Sequence, residues 1–165
     1  MNTTTNAFVR RALTMGLGMA LLSTGTTARA EDAAVKRRLE ERGIKFEVDK
    51  DGDYKVTYNY KKEGRSQLVF VAGRTHSVGG FVVREIFSPA ARIEKDSIDG
   101  ARALELLRES SNNKLGSWEI RGDVLYFVVK ASDSMNAAEL ESAMDITSET
   151  ADDMEIKLSG ARDDL

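Results

Sequence analysis

The segment IKFEVDKDGDYKVTYNY, residues 44–60, predicts that this chain forms an antiparallel sheet. Apolar residues take every second position from 44 to 48 and again from 54 to 60. An alternation with period two is typical of strands that bury one face. Between the two runs lies Asp51-Gly52, a dipeptide favoured in tight hairpins because both positions tolerate positive φ. The segment therefore predicts two strands joined by a turn.

The same segment places Asp49, Asp51 and Asp53 at alternate positions, which raises the alternative of a calcium loop. A helix–loop–helix calcium site needs glycine at its sixth position and glutamate at its twelfth. Counting from Asp49, those positions hold Tyr54 and Tyr60. The pattern favours the turn, and we predict no calcium dependence.

The rest of the chain adds strands in pairs and three helices. The order α-β-β-β-β-α-β-β-α lacks βαβ alternation, which indicates an α+β fold with a twisted antiparallel sheet flanked by helices. Pro89 is expected to end the fourth strand. The third strand, apolar on both faces from Leu68 on, is expected to be central and covered on two sides. The predicted elements are a helix over 31–42, strands over 44–48, 54–60, 66–72 and 81–88, a helix from Asp96 or Ser97 to about Ser110, a hairpin over 116–130, and a helix from Asn136 to a stop at Gly160.

Apolar residues at helical spacing give each of the last two helices an apolar side. On the shorter of these helices they are Ile98, Ala101, Leu104, Leu106 and Leu107. On the longer one they are Leu140, Met144, Thr147, Ala151, Met154 and Leu158. Opposite this second stripe lie Asp152, Asp153 and Glu155. We interpret these acids as a solvated polar face rather than as paired carboxylates for acid–base chemistry.

The composition excludes several kinds of chemistry. The 165-residue chain has no cysteine, which excludes disulfides, zinc–thiolate sites, iron–sulfur clusters and cysteine nucleophiles. Apolar residues make up 41% and charged residues 31%, which is ordinary for a globular domain with a core.

Residues 1–30 have the pattern of a secretory signal. Arg10 and Arg11 precede an apolar run over 12–22 that is short for a membrane span, and Ala28-Arg29-Ala30 offers small residues at a cleavage site. We predict cleavage after Ala30 and a periplasmic protein with one domain over 31–160 and a frayed tail over 161–165. Removing residues 1–30 takes away three arginines and no acid, so the formal charge falls from −3 to −6. This acidity argues against binding to nucleic acid or, after cleavage, to an anionic membrane.

His76 is the single imidazole of the chain and the natural centre of any catalytic hypothesis. Its neighbour Ser77 is a poor partner, because adjacent residues of an extended segment point in opposite directions. The context GRTHSVG also lacks the strand–elbow–helix pattern of a hydrolase serine. A solvated loop histidine is the favoured interpretation.

Aromatic residues on the strands leave two interpretations open. Trp118, Tyr54, Tyr58 and Tyr60 are expected either to pack in the core or to form a docking face for a peptide on edge strands. The hairpin over 116–130 brings Trp118 and Tyr126 beside the helix that carries Leu104 and Leu107.

Three segments resemble the YbjN family of bacterial sensory transduction regulators: FEVDKDGDYKVTYNY (46–60), LELLRESSNNKLGSWEIRGDVLYFVV (104–129) and LESAMDITSETADDMEIKL (140–158). The resemblance implies the fold of the type III secretion chaperones, a twisted antiparallel sheet with three helices. Those chaperones are dimers that bind stretched segments of client proteins. The resemblance supplies no catalytic residues, and the signal peptide departs from those cytoplasmic chaperones.

We therefore predict a non-catalytic periplasmic interaction module, chaperone-like or regulatory, that binds protein segments and forms a homodimer. No cofactor or metal is expected. The alternative is a small periplasmic enzyme or ligand-binding protein that uses His76 and nearby carboxylates. The residues predicted to bind a protein or peptide client are Trp118, Tyr126, Leu104, Leu107, Tyr58 and Tyr60.

Overall fold

The computed structural model describes residues 32–160. The predicted signal over 1–30 and the predicted tail over 161–165 lie outside this part of the chain. The predicted element order is confirmed. The elements are α1 (Ala33–Glu41), β1 (Glu47–Val48), β2 (Tyr54–Tyr60), β3 (Arg65–Val78), β4 (Phe81–Arg92), α2 (Gly100–Ser110), β5 (Ser117–Arg121), β6 (Val124–Ser132) and α3 (Ala137–Ser159).

The strands form one antiparallel sheet in the order β1-β2-β3-β4-β6-β5. The two edge strands are therefore β1, which has two residues, and β5, which has five. Among residues 32–160, no helix is long and apolar enough to cross a membrane.

The turn between β1 and β2 is confirmed, although it is wider than a two-residue hairpin. Val48 pairs with Tyr54, so five residues form the loop. The Asp49 carboxylate accepts hydrogen bonds from the backbone N–H of Asp51 at 2.9 Å and of Asp53 at 3.0 Å. Gly52 has a φ of +83°, which favours glycine at that position. One aspartate thus organises the turn with its own side chain.

The central hairpin of β3 and β4 is longer than predicted. β3 continues past its predicted end at residue 72 and ends at Val78, with a register shift between Val71 and Thr75. β4 continues past Pro89 to Arg92, with a second shift between Pro89 and Ala91. The prediction that Pro89 ends the strand was wrong, because a proline at a bulge removes no ladder hydrogen bond.

The helix α3 forms as predicted and builds most of the core. Asn136 and Glu139 make a reciprocal capping box, with Asn136 Oδ1 accepting from the Glu139 N–H at 3.0 Å and Glu139 accepting from the Asn136 N–H at 2.8 Å. The helix ends at Gly160, as predicted. Its stripe is buried against the middle of the sheet apart from Leu158, which is half-buried.

The three helices pack on one face of the sheet, where the buried core lies. The other face carries Leu68, Phe70 and Phe87, and no helix of the described chain covers it. Phe70 and Phe87 stack on each other there with ring centroids 5.2 Å apart. The third strand is central as predicted, but the expectation that it is covered on two sides was wrong.

Buried ion pairs tie the helix layer to the strands at two places. At the first, Arg65 donates from Nε to Asp152 at 3.0 Å and from Nη2 to Glu155 at 2.9 Å. Only 7% of the Asp152 side chain and 1% of the Glu155 side chain are exposed. The prediction of a solvated face was therefore wrong for these two acids, whereas Asp153 is exposed as expected.

The second tie centres on Arg84, whose side chain is fully buried in β4. Its guanidinium donates to Asp32 at 2.5 Å, to Asp133 at 2.7 Å and to the carbonyl of Ala72. Asp32 is also the N-cap of α1, where it accepts from the N–H of Ala34 at 2.8 Å. Burial acts to raise the pKa of Asp32, but the hydrogen bonds from Arg84 and Ala34 outweigh it and hold that pKa below its usual value.

Candidate protein-interaction surface

The helix α2 lies against the edge strand β5 and turns most of its apolar side outward. Asp99, rather than Asp96 or Ser97, caps the helix by accepting from the Arg102 N–H at 2.8 Å. Leu106 is buried in the core. Leu104 and Leu107 remain 54% and 63% exposed, so the predicted apolar side of this helix is only partly buried.

A small apolar groove runs between α2 and β5. Its volume is about 170 Å³. The residues that line it are Ala103, Leu106, Leu107, Trp118, Ile120 and Leu125. Ile120 is 50% exposed and stands beside Leu107, so the groove has an apolar rim as well as an apolar floor. We call the groove, its rim and the open backbone of β5 the α2–β5 surface.

Trp118 forms the floor of this surface rather than its outer wall. Its side chain is 6% exposed, and its ring meets Phe127 edge to face with centroids 5.1 Å apart. Gly116, two residues earlier, has a φ of +86°, and a Cβ there would lie 2.7 Å from the Phe127 ring. The Gly-x-Trp spacing thus lets the chain enter β5 closely over this aromatic pair.

On the side away from β6, the backbone of β5 is bonded to α2 at Trp118 and open at Ile120. The Trp118 N–H donates to the Ser110 hydroxyl of α2 at 3.0 Å, so this amide points away from β6. In an antiparallel ladder, outward and inward amides alternate along the strand. The N–H and C=O of Ile120 therefore point outward as well, at an edge where no strand follows.

The face of β5 opposite the groove carries a charged network. Glu119 accepts from Arg121 at 2.7 Å and from Lys130 at 2.5 Å, and Arg121 also donates to Glu85 at 3.0 Å. Burial disfavours the charged forms of Glu119 and Arg121. Lys130 and Arg121 nevertheless lower the pKa of Glu119, and Glu119 and Glu85 raise the pKa of Arg121. Both side chains therefore hold full charge at neutral pH.

The other predicted binding residues lie apart from this surface. Tyr126 is half-buried on the opposite face of the sheet, edge to face with Phe87 at 5.8 Å. Tyr58 and Tyr60 are on β2, at the other end of the sheet from β5, beyond the two residues of β2 that pair with β1. Their hydroxyls bond to Asp145 at 2.8 Å and to Ser148 at 2.7 Å, both on α3. Burial, together with the neighbouring carboxylates, raises the pKa of Tyr58.

His76 is exposed as predicted, but it lies in β3, paired across the ladder with Val83, and the prediction that it lies in a loop was wrong. No three histidine, aspartate or glutamate side chains within residues 32–160 are grouped so that they would hold a metal ion. The geometry thus brings no group to His76 that would orient or activate it.

The sequence pattern does not indicate that Ile120 is exposed at the surface. Its position on a strand was clear from the alternation with Trp118, but only the sheet order shows that this strand is an edge. The pairing of exposed Ile120 with exposed Leu107 has no periodic signal in the sequence, because the two residues belong to different elements.

No protein-family model matches the sequence, and the curated proteins give no significant match. Membership of the YbjN family therefore stays a prediction. Among solved structures, the chain is similar to the Yersinia pestis type III secretion chaperone SycH, crystallised in complex with a stable fragment of YscM2. The two chains share 14% identity and superpose with a TM-score of 0.49 over 77% of this chain and 98% of that one. A likeness at this level says nothing about what this chain binds.

Proposed function

We propose that this protein is a non-catalytic protein-binding module whose binding site is the α2–β5 surface. The observation that carries the proposal is that two half-exposed apolar side chains, Leu107 and Ile120, line one groove beside a strand edge that is open at Ile120, with Leu104 exposed on the same helix. Single exposed apolar residues are common, but a contiguous set beside an unpaired strand marks an interaction site.

The size and polarity of the groove favour a peptide segment over a small molecule. Its volume of about 170 Å³ is below the several hundred Å³ that typical cofactor pockets enclose. A groove of this volume has room for one or two apolar side chains of a bound peptide. An extended segment added to β5 would form backbone hydrogen bonds with Ile120 and place alternate side chains against Leu107 and Trp118.

The test is a binding titration with a defined probe. We expect a fluorescent peptide with alternating valine and threonine, flanked by lysines for solubility, to raise its anisotropy when the protein is added. Leu107→Glu should weaken this binding by about tenfold or more, because it places a charge in an apolar contact.

The matched control is Ile146→Glu, which changes an apolar residue of α3 that is 40% exposed and does not line the groove. This variant should bind the peptide like the unaltered protein. Equal loss in both variants, or the absence of any binding, would remove the support for the α2–β5 surface.

We also propose that the module works in the periplasm in a chaperone-like or regulatory role. The support is the sequence of residues 1–30, with its paired arginines, apolar run and Ala28-Arg29-Ala30 site. Mass spectrometry of the periplasmic fraction should give a chain that begins at Glu31. A chain that keeps residues 1–30 in the membrane fraction would contradict this location.

A further inference from the structure

We propose that the tip of the hairpin formed by β3 and β4 is a membrane-docking element, which inserts its apolar side chains into the surface of a phospholipid bilayer. This element uses residues that the proposed function does not use. We call residues 74–82 the β3–β4 arm. All nine residues from Arg74 to Val82 are exposed.

The β3–β4 arm extends beyond the neighbouring strands on both sides. β2 pairs with β3 only as far as Val71, and β6 pairs with β4 only from Val83 onward. Gly79-Gly80 form the turn, with Val78 paired to Phe81, so the arm keeps a two-stranded ladder up to its tip. Because no strand of the described chain flanks the tip, it is free to contact a surface.

The base of the arm is fixed to the body of the domain. The Gly73 N–H donates to the Asp53 carboxylate at 2.9 Å, and the Val82 C=O accepts from the Asp133 N–H at 2.9 Å. Asp53 lies between β1 and β2, whereas Asp133 follows β6. These contacts hold the hairpin from both edges, so the exposed tip belongs to an ordered element.

The tip of the arm is apolar on both of its faces. Phe81 is 74% exposed, Val78 is 64% exposed and Val82 is 43% exposed. Val78 and Phe81 are a cross-strand pair and share one face of the hairpin, whereas Val82, the next residue, points to the other face. A flat protein partner would cover one face only, but a bilayer surrounds the tip and removes both faces from water. The arrangement therefore favours a lipid surface.

The charges of this region are compatible with anionic phospholipid headgroups. Residues 64–84 contain no aspartate or glutamate, in a chain where these acids outnumber lysine and arginine by 27 to 24. The acidity of the whole chain disfavours a membrane contact along its general surface, so the acid-free arm is the part suited to approach anionic lipids. Arg74, exposed on the arm, adds a positive charge that such headgroups attract.

The length of the arm keeps the acidic turn of residues 49–53 away from the membrane. From Gly73, which bonds to that turn, to Val78 the strand advances roughly 17 Å at about 3.3 Å per residue. Amphipathic elements bury their apolar side by roughly 5–10 Å at the membrane interface. An upright arm inserted to that depth places its tip among the lipids and leaves the acidic turn in water. The outer backbone groups of the arm stay within reach of water and headgroups, which satisfy their hydrogen bonds.

The test is co-flotation of the naturally processed protein with vesicles of phosphatidylcholine that contain phosphatidylglycerol as a minor component. We expect the unaltered protein to float with the vesicles. Phe81→Glu should lower the partition coefficient by about tenfold or more, because it places a charge at the inserted tip. Leu107→Glu is the matched control, since Leu107 is 63% exposed on another surface, and this variant should float like the unaltered protein.

The same two variants separate membrane docking from the proposed function. Leu107→Glu should lose the valine–threonine peptide and keep the vesicles, whereas Phe81→Glu should keep the peptide and lose the vesicles. Normal flotation by a protein that does not bind the peptide would remove only the proposed function and leave membrane docking supported.

A second measurement distinguishes insertion of the tip from adsorption to the vesicle surface. Phe81→Trp places an indole at the tip, whereas the native Trp118 is only 6% exposed. Lipids with brominated acyl chains should quench the added fluorescence of this variant and leave the emission of the unaltered protein unchanged. No flotation with these vesicles, an equal loss of flotation in Phe81→Glu and Leu107→Glu, or an unquenched indole would overturn the inference.

Discussion

The helices α2 and α3 carry the same kind of sequence signal but use it in opposite ways. Both have apolar residues three and four positions apart, and both begin at a polar cap. In α3 the stripe is buried against the sheet, whereas in α2 only Leu106 is buried and Leu104 and Leu107 face outward. Helical periodicity therefore identifies residues that share a face but does not tell whether another element covers that face.

The position of each helix in the fold explains this difference. α3 has 23 residues and lies across β3, β4 and β6, so strands lie beneath its whole length. α2 has 11 residues and rests on β5, the last strand of the sheet. A helix at an edge has a strand under one side only, and its remaining apolar residues stay open to a partner.

The largest expected effect concerns the ion cluster under α3. Arg65→Ala would leave Asp152 and Glu155 buried without their shared cation, and removing one partner of a buried charge cluster costs about 3 to 5 kcal/mol of unfolding free energy. Urea denaturation should show this loss at neutral pH. Arg102→Ala on α2, whose partner Glu105 is exposed, is the control and should cost less than about 1 kcal/mol.

A second prediction compares the two stripes directly. Met144→Ala removes a fully buried side chain of α3 and should lower the unfolding free energy by about 2 to 5 kcal/mol. Leu107→Ala on α2 should change it by less than about 0.5 kcal/mol, since that side chain is mostly solvated in the monomer. The measurement is chemical denaturation at a concentration where the chain is monomeric. Equal losses would mean that α2 is as well covered as α3.

A third prediction uses pH to probe the ion pair that holds the start of α1 to β4. The pKa of Asp32 is lowered in the folded state, so its contribution is present above the unfolded pKa of about 4 and disappears as the pH falls through the folded value. Asp32→Asn keeps a good helix cap but removes the charge that faces buried Arg84, at a cost of about 1 to 2 kcal/mol. Thermal melts at pH 7 should show this loss, and the difference from the unaltered protein should shrink towards pH 2.

The smallest expected effect concerns the two helix caps. Asn136→Ala at the start of α3 should cost about 1 kcal/mol of global stability, because α3 unfolds only with the whole domain. Asp99→Ala should leave global stability nearly unchanged and mainly loosen α2, which is held at one edge. Hydrogen exchange resolves the two cases, with faster exchange confined to α2 in the second variant. Faster exchange over the whole sheet would contradict the expectation that α2 can loosen without the rest of the domain.

Much of the fold was predictable because its signals are local. The alternation over 44–60 and the Asp51-Gly52 turn predict a hairpin from neighbouring residues alone, and the Asn136 cap with its stripe predicts α3 to within a residue. The candidate site was only partly predictable. Leu107 and Trp118 line one groove and Leu104 is exposed on the same helix, but Tyr126 is on the other face of the sheet and Tyr58 and Tyr60 bond to α3. The periplasmic location, which rests on the signal pattern of residues 1–30, and membership of the YbjN family stay predictions.

The sequence by itself determined the elements, their order and their antiparallel character, because side-chain alternation, capping and turn chemistry act over a few residues. Tertiary structure alone decided which charges are buried and which apolar residues are open. In the sequence, Asp152 and Glu155 are typical of a solvated helix face. In the structure they are buried, because Arg65, some ninety residues earlier in the chain, binds both. In the sequence, Leu107 has the spacing of a core residue. In the structure it stays exposed, because α2 lies against β5, the last strand of the sheet. Burial depends on which element arrives beside a side chain, and that is a property of the whole fold.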